Sequence, residues 1–313
     1  MMKKGILFLI IFCTITLGNA QEWFTSFEVA KRLAMLQDKM LFVLWEGSLD
    51  YDYPVIIVDE KGNSEIVLLS INESINQLIW NNFIPVKLAE YEYATFSSNV
   101  KETRGLKYYN KLIDDSIKIM DVNGNILNVD DSLDKYYFFD ENEGFLDIAD
   151  FIKRYALNTS FLKYELENYS REKNFISTFY LASKYLDFAI FVQKDLRPQI
   201  AAMANLYFDE ARIYLEQEQI ENSSALLQRF DLLKIKEDLI LNNPRKALRT
   251  LRKLDEENVD SINKSLFSFL NYTTFKLLNK EDDAQLWKDK VSSLDIRMTG
   301  LILNNTIKSG NNN

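Results

Sequence analysis

The sequence has no histidine and a single cysteine. Without imidazole there is no Ser-His-Asp triad, no histidine general base and no histidine-ligated metal. Glycine and proline are scarce, at 9 and 4 of 313 residues, which excludes a collagen-like or long flexible chain. Basic residues are outnumbered, 37 against 46 acidic, for a formal net charge of −9. A nucleic-acid binder needs a basic footprint that this balance does not supply. No glycine-rich phosphate loop or dinucleotide fingerprint occurs. Apolar residues are plentiful: 47% of the chain is hydrophobic and 27% charged, enough for a sizeable core, and the length allows two domains.

The chain opens with the pattern of an export signal. Lys3 and Lys4 precede an apolar run from Gly5 to Leu17, and Gly18-Asn19-Ala20 offers small residues for cleavage before Gln21. The run is shorter than the roughly 20 residues of a membrane-spanning helix; the rival reading is an uncleaved N-terminal anchor. Cys13 follows Ile11 and Phe12, which are too bulky for a lipid-attachment box. Cleavage after Ala20 removes that cysteine, so the mature chain can make no disulfide and no thiolate nucleophile. No later segment has the length and apolarity of a membrane span. The expected compartment is the periplasm or cell envelope of a Gram-negative bacterium, or otherwise the extracellular medium. The expected partition is a signal peptide over 1–20, an α/β domain over 21–157, an α-helical domain over 158–303 and a disordered tail over 304–313.

Up to about residue 155, strand and helix patterns alternate. Thr25 to Gln37 reads as a helix with Ser26 as its N-cap. Met40 to Trp45 is a continuous apolar run, as in a buried central strand. Val55–Val58 and Glu65–Leu69 flank a polar turn and read as a hairpin. Ile75 to Trp80 suits a short helix, and Phe83 to Leu88 a strand whose Pro85 lacks a ladder donor. Ile117–Met120 and Ile126-Leu127 flank Asn123-Gly124, a hairpin turn signal. Phe145 to Leu157 reads as a closing helix.

Beyond residue 158 the period is helical. Ile200, Met203, Tyr207, Ala211 and Tyr214 form one stripe, and Ala284, Trp287, Val291, Leu294, Met298 and Leu301 another. Asn243 is placed to cap a helix with Pro244 in its first turn. Short polar connectors imply antiparallel neighbours. Ala211, Ala225, Ala247 and Ala284 offer small residues where helices approach. The helical hairpins read as a tetratricopeptide-like array or an ordinary bundle.

The order of elements in the first half resembles a secreted bacterial thioredoxin-like protein. The resemblance rests on the opening helix from Trp23 to Lys39, the Met40–Trp45 strand, Trp80-Asn81-Asn82-Phe83-Ile84-Pro85-Val86-Lys87-Leu88, Arg104-Gly105-Leu106 and the strand–NG–strand segment from Ile117 to Leu127. It implies a thioredoxin-like α/β fold followed by an all-α domain. It also implies a thiol pair after Trp45 and a cis-proline before Ile117. This chain reads Glu46-Gly47-Ser48-Leu49 after Trp45, and Asp115-Ser116 before Ile117, so both redox devices are missing. The Val55–Leu69 hairpin takes the place of the helix that would carry the thiols.

Glu46, Asp50 and Asp52, interleaved with Tyr51 and Tyr53, are the first candidate binding surface, either a carboxylate pair or a solvated acidic loop. Arg245, Arg249 and Arg252, with Lys246 and Lys253, make a basic face, suited to an acidic partner or to carboxylates of the same chain. Asp121 to Asn125 lacks the glycine and glutamate spacing of a calcium loop and reads as a turn. The acidic stretch from Asp130 to Asp147 reads as a solvated loop around Tyr136–Phe139. No catalytic residue, metal ligand or cofactor is assigned. The leading expectation is a redox-inactive binding or scaffold module with a protein or peptide partner. A carboxylate-based hydrolase and a structural component of an envelope assembly are the alternatives.

Overall fold

Met40–Trp45 forms strand β1, and every one of its residues is buried. The computed structural model describes residues 22–51, 53–59, 61–138 and 143–307. The expected export signal and Asp52 lie outside these residues, as do residues 308–313 of the tail expected over 304–313; residues 304–307 instead belong to the last helix. The chain divides into two compact units, the second beginning at Thr159.

In the first unit, helix α1 (Phe27–Gln37) starts where Ser26 accepts a hydrogen bond from the Val29 amide, and ends at Asp38 in the left-handed region. It packs on β1 and on β4 (Phe83–Leu88). β1 is the middle of a three-stranded sheet, pairing in parallel with β4 and antiparallel with β5 (Lys118–Met120). A strand covered on both sides needs no alternation, which is why the run is continuously apolar. Phe42 holds the core together edge-on to Trp23, Phe83 and Phe151.

β4 shows how the sheet tolerates Pro85. The Phe24 amide donates to the Pro85 carbonyl at 3.0 Å, and the Lys87 amide donates to Phe24. The nitrogen and carbonyl of one strand residue point the same way. The missing donor of Pro85 therefore faces Phe24, away from β1.

After β1 the chain forms a single short helix, α2 (Glu46–Asp50), before the hairpin β2 (Pro54–Val58) and β3 (Ser64–Leu68). The hairpin thus follows a short helix rather than replacing it. Helix α3 (Glu73–Asn82), capped by Asn72, leads into β4. Two helices follow β4, α4 (Glu90–Thr103) and α5 (Leu106–Ile113), broken at Arg104-Gly105. At the turn after β5, the Asp121 carboxylate accepts from the Asn123 and Asn125 amides, both at 2.9 Å. Gly124 there adopts φ 88°, and Met120 bridges back to Ile126. The helix expected over Phe145–Leu157 is shorter. Gly144–Leu146 is strand β7, paired with β6 (Tyr136–Phe138), and α6 spans Ile148–Tyr155. The side chain of Asp147 accepts from the Asp150 amide at 3.0 Å, fixing the helix start there.

The second unit is largely helical: α7 (Lys163–Arg171), α8 (Phe175–Phe188), α9 (Arg197–Gln217), α10 (Ser223–Ile240), α11 (Pro244–Leu251), α12 (Lys264–Leu277), α13 (Glu281–Lys288) and α14 (Ser293–Ile307). Its core is aromatic. Tyr185 stacks on Tyr207 with centroids 5.4 Å apart, and Phe179 contacts Phe175, Phe208 and Phe230. Ala211, Ala225, Ala247 and Ala284 are all buried. The Ala284–Leu301 stripe is not one helix but two, and Leu294 is exposed. Asn243 makes no side-chain cap; its backbone carbonyl accepts from Lys246 and Ala247 instead.

Candidate functional site

Strands β1 and β4 run in parallel, so Trp45 and Leu88 end side by side and the chain leaves both at one edge. Glu46 and Asp50 sit one turn apart on α2 and flank Lys87 of β4, at 3.5 and 3.9 Å from its amine. Both carboxylates are well exposed. Exposed pairs of this kind contribute about 0–1 kcal/mol. Glu90 leans over the same turn: a Cβ on Gly47 would meet its Oε1 at 3.1 Å. Among the described residues no three acidic, histidine or cysteine side chains converge to hold a metal ion.

The neighbouring tyrosines diverge. Tyr51 is fully open to solvent. Tyr53 is half-buried, and burial, assisted by Tyr136 and Asp114, pushes its phenol well above the usual range against a hydrogen bond with the Ile117 backbone. Asp52 lies outside the described residues. The 46–53 segment therefore offers two surroundings, an acidic pair around Lys87 and a tyrosine hydrogen-bonded with the Ile117 backbone, beside the 114–118 segment.

That second direction leads to a cluster the sequence reading missed. Lys118, on β5, is 1% exposed. Its amine donates to the Asp114 carbonyl, lies 3.4 Å from the Asp114 carboxylate, and sits 5.7 Å over the Trp45 ring. Burial pushes this amine down to about 8, with Asp114 opposing the shift. Lys111, also buried, donates to Ser116 at 2.6 Å, and Ser116 donates to Asp114 at 2.5 Å. The sequence signal was one lysine inside an apolar strand run. Sealed as it is, Lys118 anchors the 114–118 segment rather than meeting a soluble substrate.

The acidic stretch serves local structure. Asp130 lies 3.2 Å from Lys107, Asp134 accepts from Tyr155, and Asp147 caps α6. Asp140 and Glu141 are outside the described residues.

In the second unit, Arg245, Arg249 and Arg252 fall at helical spacing on and just after α11, and all three are exposed. No carboxylate of the described residues lies within ion-pair distance of them. Lys246, one position off this face, instead pairs with the buried Asp238 at 2.8 Å, which raises its pKa.

Two further features were not read from the sequence. A groove of about 550 Å³ runs along α7 and α8, lined among others by Tyr164, Ile176 and Tyr180, each 60% exposed or more. Glu165 lines it with one carboxylate oxygen sealed and unpartnered, the other 3.9 Å from Lys184. A smaller cavity of about 260 Å³ lies where α9 begins and α10 ends, and buried Arg197 lines it.

No protein-family model matches the chain, and neither a curated protein nor a solved structure matches it.

Proposed function

We propose that the chain is an exported binding or scaffold protein, acting in the periplasm or cell envelope. In this reading a redox-silent α/β unit of thioredoxin-like type is joined to a tetratricopeptide-like helical array that holds a protein or peptide partner. The groove on α7 and α8 carries the reading. Tyr164, Ile176 and Tyr180 expose apolar surface around a concave space of about 550 Å³, as peptide-holding helical arrays do. The unpaired basic face of Arg245, Arg249 and Arg252 supplies a second, electrostatic surface in an otherwise acidic chain. Support for the thioredoxin-like type comes from β1 lying between parallel β4 and antiparallel β5, with an NG turn following β5. The carboxylate-hydrolase alternative needs acidic groups converging in a closed pocket; Glu46 and Asp50 face solvent around a lysine instead.

The test is selection from a displayed peptide library against the full chain, compared with a Tyr164→Ala, Ile176→Ser, Tyr180→Ala variant. All three side chains are exposed, so the core is untouched. Selected peptides are expected to bind the variant at least about tenfold more weakly. Failure to enrich any sequence, or equal binding by the variant, refutes the reading.

A further inference from the structure

Arg197 opens α9 and is only 6% exposed. Its Nε is sealed from solvent and makes no hydrogen bond, and no carboxylate among the described residues pairs with its guanidinium. A buried charge without a partner is costly. Here it occurs in a chain with 46 acidic residues, where a partner would be easy to supply.

The carboxylate at the end of α10 is engaged elsewhere: Asp238, in its last turn, is bonded to Lys246. The carbonyls of that last turn are also occupied: Glu237, Asp238 and Leu239 accept from the amides of Leu241, Asn243 and Asn242. The Arg197 Nε stays without a partner beside them.

The surroundings favour an anion. Lys194, three residues before Arg197, lines the same cavity, is exposed and has no carboxylate partner among the described residues. Asn242 and Asn243 line it from the other side, and their side-chain amides make no hydrogen bond among the described residues. The positive end of the 21-residue helix α9 adds to the field, which the negative end of α10 at the same cavity partly offsets. The rest of the lining is apolar, from Pro198, Ile240 and Leu241. At about 260 Å³ the space exceeds a bare inorganic anion and fits an anionic head with a short apolar body.

We propose that this cavity is a carboxylate-binding site, in which Arg197 and Lys194 hold the carboxylate of a ligand whose aliphatic part lies against Pro198, Ile240 and Leu241. A C-terminal amino-acid residue of a peptide has this chemistry, and so does a small branched carboxylic acid. The site is separate from the α7–α8 groove and stands whether or not that groove binds a partner.

The test titrates the full chain by calorimetry with N-acetyl-leucine, N-acetyl-leucinamide, isovalerate and inorganic phosphate. Saturable binding of N-acetyl-leucine is expected, with the uncharged amide at least about tenfold weaker. Isovalerate binding as well as N-acetyl-leucine assigns a free small acid as the ligand, whereas much weaker isovalerate binding assigns a peptide terminus. Arg197→Met is expected to abolish binding. Lys194→Ala, at an exposed position that cannot disturb the core, is expected to weaken it several-fold. No saturable binding below about 10 mM, equal binding of the amide, tighter binding of phosphate, or indifference to Lys194→Ala would each overturn the proposal. A rise in thermal stability of Arg197→Met with binding unchanged would do so as well, marking the arginine as an unsatisfied structural residue.

Discussion

Lys118 makes the stability of the first unit rise with pH across the alkaline range. Burial lowers the amine from the ordinary lysine value to about 8, with Asp114 opposing and Lys111 adding to the shift. The unfolded chain keeps the ordinary value. Between about pH 8 and 10.5 the unfolded state therefore binds a proton that the folded state has shed, and stability rises with pH across that window. Each unit of separation is worth about 1.4 kcal/mol, so some 2 to 3 kcal/mol is recovered on going from about pH 7 to pH 10. Lys118→Met keeps the length of the side chain and removes the titration.

The measurement is urea unfolding of the parent and of Lys118→Met at several pH values, in a Trp287→Phe background. Fluorescence then comes from Trp23, Trp45 and Trp80, all in the first unit. Buried tyrosines act with the opposite sign. Tyr108, pushed up to about 12, and Tyr53, raised further, lose stability as the unfolded phenols ionise near pH 10 and above. They are common to both proteins and cancel in the difference. The parent should gain about 2 to 3 kcal/mol relative to Lys118→Met across the window. A difference that stays constant to within about 0.5 kcal/mol refutes the reasoning.

Other perturbations test the fold locally. Asn128 is fully buried and stands in for a strand neighbour, accepting from the Ile119 amide at 2.7 Å and donating to the Ile117 carbonyl at 2.9 Å. Asn128→Ala should cost about 2–5 kcal/mol in urea unfolding. Asn128→Asp should not rescue it, because an oxygen would then face the Ile117 carbonyl. Asn174→Ala removes the acceptor of the Ser177 amide in the capping box of α8 and should cost about 1 kcal/mol, read from thermal melting by circular dichroism. Gly124 has φ 88° and a Cβ there would meet the Phe27 ring at 3.2 Å, whereas Gly62 at φ 85° has nothing near it. Both Gly→Ala variants should lose about 1 kcal/mol in urea unfolding from backbone conformation, and Gly124→Ala measurably more from contact.

How far the sequence announces these elements depends on where their determinants lie. Strand β1 was legible because burial on both faces leaves an unbroken apolar run, and α1 because Ser26 supplies a local cap. The break between α13 and α14 was missed although its signal is local. Lys290 and Val291 donate to Trp287 and Lys288, tightening the end of α13, and Ser292 accepts from the Asp295 amide at 3.1 Å to start the next helix. Apolar spacing reads straight through such a stop, because the residues on either side keep the period. The start of α6 was misplaced for a related reason: Phe145 and Leu146 suit a helix, but pairing with Tyr136 and Tyr137 holds them in a strand until Asp147 caps.

The candidate sites divide along the same line. The basic face was legible because Arg245, Arg249 and Arg252 need only helical spacing to fall together, and the helix forms. Its near neighbour Lys246 was not separable from that face by sequence, since only the fold brings Asp238 within 2.8 Å of it. Arg197 was the least legible. In the sequence it is one arginine before a proline at a helix start, an unremarked surface residue. What buries it is the end of α10 and the turn at Asn242-Asn243, more than forty residues later. An acidic chain can satisfy a buried or half-buried cation with its own carboxylates, and it does so for Lys118 and Lys236. Arg197 has no such partner among the described residues, and its cavity with polar amides and apolar walls is therefore where a ligand from outside the chain has the most to contribute.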